Sequence, residues 1–339
     1  CATVSKGTMA VSNLRNLRAG IAFVLMGGAA AAQDGNVTIY SSNPEQALET
    51  VTSVAATEMK GVKVNMVTGG SGAMLRRIEA EKAKPQADVF WTSSANTLGA
   101  FSSLFEPYKS KNIDAIPAEL HYPGDLFTAT NIHVVVFMVN KDQLGDLPEP
   151  KTWEDLLNPA YKGKIIIADP GNSSTGYTVL WGVSKLLGPD KYKQLAQNMV
   201  VTGTSQAVPL GVSQGEYAVG LTFESSAYPY VAGGQEEVEL VYPNDGTFVS
   251  PEYLGLVKDA PDGALARQAV DFLTSKEVEE KLFKTTFRRP ARSDIAVSKI
   301  IKMPELSDIK VFKVDENEAA KERETFLDQW KKIGAQSAD

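Results

Sequence analysis

Cysteine is nearly absent from this chain of 339 residues: Cys1 is the sole example, at the extreme N-terminus. Without cysteines in its body, the chain has no disulfide framework, thiol nucleophile or cysteine metal site. Histidine is almost as scarce, with only His121 and His133, and no H-E-x-x-H motif occurs. His133 falls in an apolar run, where a core or hinge role is expected. No apolar run reaches the roughly 20 residues that span a bilayer. The phosphate-loop spacing is missing around Tyr161-Lys162-Gly163-Lys164, and Gly69-Gly70-Ser71-Gly72 does not continue into a G-x-G-x-x-G fingerprint. One G-x-S-x-G occurs, Gly211-Val212-Ser213-Gln214-Gly215, but a strand follows it and no histidine lies beyond His133, so the spacing is read as chance. The acid pairs Glu79/Glu81 and Glu279/Glu280 fall on helix patterns and read as solvated faces. Asp88 and Asp169 sit by strand ends, where they can cap turns or act as bases.

The N-terminus does carry a signal. Arg15 and Arg18 precede an apolar stretch from Ala19 to Met26, and Ala30-Ala31-Ala32 gives an A-x-A ending. This is the pattern of a secretory signal peptide over residues 9–32, with Met9 as the start and cleavage near Gln33. Cys1 precedes the apolar run, so it is not a lipoprotein cysteine. Loss of Lys6, Arg15 and Arg18 takes the 34 basic residues to 31 against 41 acidic ones, a net charge of −10. That balance disfavours nucleic acid or an anionic membrane as the main partner. It leaves open an anionic small ligand held by local dipoles.

After residue 33, strand and helix patterns alternate. Val37–Tyr40 reads as a strand, 44–58 as a helix behind Asn43 or Ser42 as cap, Val62–Val67 as a strand, Ala73–Lys84 as a helix, Ala87–Trp91 as a strand and Ala95–Ser103 as a helix. Alternation of this kind predicts an α/β fold with mostly parallel sheets covered by helices. The β-branched run Thr128–Asn140 and the stretch Gly246–Leu256 read as two crossings between lobes. Helix, strand, turn and helix patterns recur from Lys151 to Gly188. Ala218–Phe223 and Val238–Tyr242 read as strands, and 262–275, 276–284 and 321–332 as helices. No flexible separator divides the chain, so residues 33–130 plus 252–339 are expected to form one lobe and 131–251 the other.

Small hydroxyl-rich turns stand at the expected strand ends: Ser41-Ser42, the Gly-Gly-Ser-Gly turn, Thr92-Ser93-Ser94, Gly171 to Gly176, Thr202 to Ser205 and Glu224-Ser225-Ser226. In open parallel sheets ligands bind beyond the carboxyl ends of strands, where helix N-termini converge. One such turn is only a helix cap. Together, they describe an anion site built from N–H and hydroxyl donors.

The phrases GGSGAMLRRIEAEKAKPQADVFWTSS, PKTWEDLLNPAYKGKIIIADPGNSSTGYT and SPEYLGLVKDAPDGALARQAVDFLTSKEVEEKLF span most of the chain after residue 33. They resemble the family 1 extracellular solute-binding proteins of bacterial ABC importers, in the branch that contains ferric-iron, phosphonate and sugar-phosphate binders. The resemblance implies a two-lobed periplasmic-binding-protein fold (type II-like) with a two-crossing hinge. It also implies a periplasmic monomer that closes on a ligand and presents it to an inner-membrane permease. No enzymatic activity and no cofactor is implied. Where ferric binders of this branch bring an adjacent tyrosine pair, Tyr228 and Tyr230 here are split by Pro229. Hard ferric iron favours anionic oxygen ligands, so iron is kept as the alternative to an organic phosphate or phosphonate. The ligand residues expected on this reading are Ser41, Ser42, Ser71, Gly72, Ser93, Ser94, Ser173, Ser174 and Thr175 as donors. Ser205 would bond the middle of the ligand and Glu224 would accept at its other end; on the iron alternative, Glu224, Tyr228 and a bound anion would make the site. Glu224 has a lobe-to-lobe salt bridge as its competing role. Arg288-Arg289-Pro290-Ala291-Arg292 is read as pairing with acidic helices at the surface rather than facing the cleft.

Overall fold

The computed structural model describes residues 34–334, 336 and 337, so the expected signal peptide lies outside the described residues. The strands are β1 (Gly35–Ser41), β2 (Val62–Thr68), β3 (Val89–Ser94), β4 (Phe105–Glu106), β5 (Phe127–Asn140), β6 (Ile165–Ala168), β7 (Met199–Thr202), β8 (Val219–Phe223), β9 (Val238–Val241), β10 (Val249–Val257), β11 (Arg289–Pro290) and β12 (Gln336–Ser337). The helices are α1 (Glu45–Glu58), α2 (Ser71–Glu81), α3 (Ala95–Gly99), α4 (Lys141–Leu144), α5 (Ser174–Leu187), α6 (Pro189–Ala196), α7 (Ala207–Ser213), α8 (Glu224–Ala232), α9 (Gly263–Leu273), α10 (Lys276–Thr286) and α11 (Glu316–Ile333).

The strands fall into two groups that share β5. In the first lobe β1 pairs in parallel with β2 and β3, and β10 runs antiparallel to β3 and to the first half of β5. In the second, β6 pairs in parallel with β7 and β8, and the second half of β5 runs antiparallel to β8 and β9. The partner of β5 changes between Val134, opposite Val249, and Val135, opposite Phe223. This is the first crossing. All 14 residues of β5 are buried, which is why Val134–Val139 runs apolar without alternation and why the polar Asn131 and His133 are each held by a partner, Glu252. The segment leading into β10 makes the second crossing.

Each lobe has its own core. Val37, Val51, Trp91, Leu256 and Phe272 represent the first, and Phe137, Trp153, Ile167, Trp181 and Leu221 the second. The chain then crosses a third time. Residues 252–339 were expected with the first lobe, but Ala319, Phe326 and Trp330 of α11 pack into the second lobe's core. In addition, β12 pairs in parallel with β7, and Val311 bridges Thr247. An amphipathic pattern shows that a helix buries a face but not against which lobe.

Within each lobe the parallel strands end on the same side, β3 running three residues past the end of β1. Ser41 stands opposite both Thr68 and Trp91, and Ala168 opposite Thr202. The following helices therefore begin on one side of each sheet. For α5 this needs Gly176, because a Cβ there would lie 2.2 Å from the Ala168 carbonyl oxygen. Only the missing side chain lets the helix N-terminus sit so close to the end of β6.

Candidate functional site

The lobes face each other across a cleft of about 1560 Å³. Its walls are helix N-termini. At α2 the capping position is Gly70, which has no side chain to offer, and its carbonyl already accepts from Ala73 and Met74 N–H at 2.9 and 3.0 Å. The start of α2, Ser71 and Gly72, lines the cleft with backbone donors that no side chain caps. Helix α8 likewise starts without a side-chain cap, and Ser225 and Ser226 of its first turn line the cleft. On the second lobe Asp169 Oδ1 accepts from Gly171 and Asn172 N–H at 2.8 and 3.1 Å and shapes the turn into α5. Ser173 Oγ then accepts from Gly176 N–H at 3.1 Å, leaving Ser174 and Thr175 to face the cleft. Asp169 is thus a turn residue.

The floor is the hinge itself. Ser250 and Glu252, two apart on β10, point to the same side, and His133 stands opposite Ser250 on β5. The His133 ring stacks on Phe223 with centroids 4.5 Å apart, and its Nε2 lies 3.1 Å from Glu252 Oε2. Asn131 Nδ2 donates to that oxygen at 3.0 Å, and Arg288 Nη1 reaches it at 3.5 Å. Burial alone would push the Glu252 carboxyl up, but His133, Arg288 and Asn131 hold it at about 2. Glu316, the first residue of α11, accepts from Ser250 Oγ at 3.3 Å through Oε1. Burial pushes its carboxyl up to about 7; the Ser250 bond opposes this, and the charges of Glu252 and Asp315 add to it. On the same helix, the Arg323 guanidinium lies 4.4 Å over the Tyr177 ring and also lines the cleft.

Of the residues expected to hold ligand, Ser71, Gly72, Ser93, Ser94, Ser174, Thr175 and Ser205 line this one cleft. The other five do not. Ser41 is fully buried, its hydroxyl accepting from the N–H and side-chain amide of Asn43 at 3.1 and 3.2 Å. Ser42 Oγ donates to the Thr92 carbonyl, and Ser173 is spent as the cap of α5. Neither Asn43 nor Ser42 caps α1: Asn43 instead accepts from Arg288.

Glu224 is 1% exposed and makes a two-point ion pair with the 2% exposed Arg289, at 2.7 and 3.2 Å. Tyr242 OH donates to the same carboxylate at 2.5 Å, and Arg289 also donates to the Pro304 carbonyl at 2.8 Å. Glu224 is therefore the lobe-to-lobe bridge, with no oxygen left for a ligand. Tyr228 is buried against Phe287, ring centroids 5.0 Å apart, in a cluster with Phe283, Val297 and Met303. Ser213 of the G-x-S-x-G ends α7 with its hydroxyl on the Leu210 carbonyl.

Sequence reasoning missed Arg288, Glu252, Glu316 and Arg323 as cleft residues. Arg288 was visible in a basic cluster but assigned to the surface, and the alternation Ser250–Glu252 could have placed Glu252 beside Ser250. Nothing local marks Glu316 or Arg323, because their position follows from the third crossing.

A family model described as bacterial extracellular solute-binding protein matches residues 84–322. A putative 2-aminoethylphosphonate-binding periplasmic protein of Salmonella typhimurium is 25% identical over 72% of this chain and 74% of its own length. Iron uptake protein A1 of Synechocystis is 27% identical over 71% of this chain and 72% of its own. Among solved structures, the periplasmic binding protein AfuA of Actinobacillus pleuropneumoniae with bound fructose-6-phosphate superposes with a TM-score of 0.72 and 28% identity, covering 89% of this chain and 99% of that one.

Proposed function

Because the chain belongs to the bacterial extracellular solute-binding proteins, which bind solutes rather than transform them, we propose that it captures a small organic phosphate or phosphonate and hands it to an ABC-type permease in the inner membrane. The observation that carries this reading is the convergence of three helix N-termini, α2 from one lobe and α5 and α8 from the other, on a single cleft. Free N–H groups at a helix start, backed by the helix dipole, favour an anion with several oxygens. Ser71, Ser174 and Thr175 add hydroxyl donors, Ser94 being the cap of α3, and Arg288 and Arg323 add charge. Charge-assisted bonds of this kind contribute roughly 1.5–3 kcal/mol each.

Contacts come from both lobes, so a ligand bridging them has higher affinity for the closed arrangement, and that difference drives closure about β5 and β10. The closed form is what a permease would read. Residues 9–32 would deliver the chain to the periplasm, where it would act as a monomer. The site chemistry supports an organic anion over bare ferric iron. Among the described residues no group of three or more His, Cys, Asp or Glu side chains is placed to hold a metal, and of the split tyrosine pair Tyr228 is committed to packing while Tyr230 lines the cleft. A relative named a putative 2-aminoethylphosphonate-binding protein and a structural neighbour holding fructose-6-phosphate fit this chemistry, while the iron uptake relative fits the alternative.

Native mass spectrometry of protein purified without refolding tests the reading. A co-purified organic phosphate or phosphonate is expected; bound iron as the only added mass would overturn it.

A further inference from the structure

Two residues that line the cleft each hold a buried acceptor oxygen with no hydrogen-bond partner within the protein. The oxygens are Oε2 of Glu316, whose other oxygen is held by Ser250, and Oδ1 of Asn96. Both residues line the cleft, and they stand at the first turns of α11 and α3, helices that pack against each other. Neighbouring acceptors are otherwise bonded: Glu252 has His133, Asn131 and Arg288, and Asp169 has its own turn. A buried acceptor without a donor is unfavourable, and native proteins leave few of them. Elsewhere the cleft offers chiefly donors, so these two oxygens call for a ligand group of the opposite kind.

We propose that Glu316 and Asn96 form an acceptor subsite for the second pole of the ligand, a group bearing N–H or O–H donors such as an ammonium or a cluster of hydroxyls. The inference rests on the organic-anion reading, in which the first pole is held by the helix N-termini, and it makes the ligand two-ended. A free anion fills only half of such a site. Burial holds the Glu316 carboxyl at about 7, so a donor that satisfies it also removes the penalty on its charge. Specificity follows from the same asymmetry: a ligand lacking the donor leaves both acceptors unmet in a closed cleft.

The test is calorimetric titration at neutral pH of the wild type, Glu316→Gln and Asn96→Ala with four probes: 2-aminoethylphosphonate, ethylphosphonate, fructose 6-phosphate and inorganic phosphate. One donor-bearing probe is expected to bind at least tenfold more tightly than ethylphosphonate and phosphate. Whether the amine or the sugar does so identifies the donor. Both variants should lose that preference while binding ethylphosphonate and phosphate within about twofold of wild type. Without ligand, Glu316→Gln should melt no lower than wild type at neutral pH, because it keeps the Ser250 bond and removes a carboxyl whose charge burial disfavours. A preference that survives in both variants, no preference in the wild type, or a lower melting temperature for Glu316→Gln would overturn the subsite and leave the anion reading standing. Failure of the wild type to bind any of the four would overturn the anion reading, and the subsite with it.

Discussion

Glu224 illustrates how one side chain can be taken for a ligand group when it is a structural bridge. Its carboxylate and the Arg289 guanidinium are buried together at the point where β11 joins the shared strand β5. Replacing Glu224 with Ala leaves a buried cation without its counter-charge, so we expect a loss of roughly 3–5 kcal/mol in urea unfolding. A Glu224→Leu/Arg289→Met double variant should recover most of that loss, because neither charge then has to be desolvated. Glu316 has a different signature. Its folded carboxyl titrates at about 7 against 4.5 unfolded, facing Glu252 and Tyr253 from β10 and Asp315 on its own segment. Its contribution is thus complete below about 4.5 and is lost as pH rises through 7. Glu252 acts in the opposite sense, its contribution present above 4.5 and lost as pH falls towards 2. Unfolding free energy measured against pH should therefore decline between about 4.5 and 7 in the wild type, and Glu316→Gln should make that decline shallower, with Glu279, whose carboxyl burial also pushes up, contributing to the remainder.

At the level of elements, the proposed reading seats the ligand on helix N-termini, so their stability and affinity can be set against each other. Helix α2 begins at a glycine with no capping side chain, an arrangement that costs the helix a cap and leaves its first N–H groups uncapped beside the cleft. Ser71→Asp should stabilise the protein by about 0.3–1 kcal/mol through the helix dipole. The same charge should repel an anionic ligand and weaken its binding about tenfold or more by titration. A gain or no change in affinity would mean that the anionic pole of the ligand is not seated at α2. Ser173 makes the contrast within α5: it caps the helix, and the two residues after it face the cleft.

For the whole molecule, the third crossing decides what the cleft is made of. Helix α11 carries Glu316 and Arg323 into the cleft while its far face, Phe326 and Trp330, completes the second lobe's core. Closure about β5 and β10 must therefore move α11 with the second lobe. Trp330→Ala should cost roughly 3–5 kcal/mol, as large aromatic truncations in cores do. Because the same helix supplies a cleft wall, ligand affinity should fall together with thermal stability. A stable variant with unchanged affinity would show that the C-terminal segment is only peripheral to the second lobe.

Local chemistry was enough to read the alternation of strands and helices up to α3, both hinge crossings and the hydroxyl turns at strand ends, because periodicity and turn residues act over a few neighbours; α6, β7, α7 and α8 were not read. Thr128–Asn140 reads as a crossing between lobes, and β5, buried along its whole length, spans almost the same residues. The turns at Ser71, Ser94 and Ser174 announced helix starts, and these residues line the cleft. The charged partners could not be read this way. Glu224 and Arg289 are 65 residues apart, and Asn43 and Arg288 are 245 apart. Glu316 meets Ser250 only because the chain recrosses after β11. Which hydroxyl faces ligand and which is spent on a neighbour, as Ser41 is on Asn43, depends on backbone atoms brought close by packing. Amino-acid order determined that this protein would have two α/β lobes with donor-rich turns between them. Tertiary structure alone decided which charges meet in the cleft, since long-range pairing follows from topology and not from local propensity.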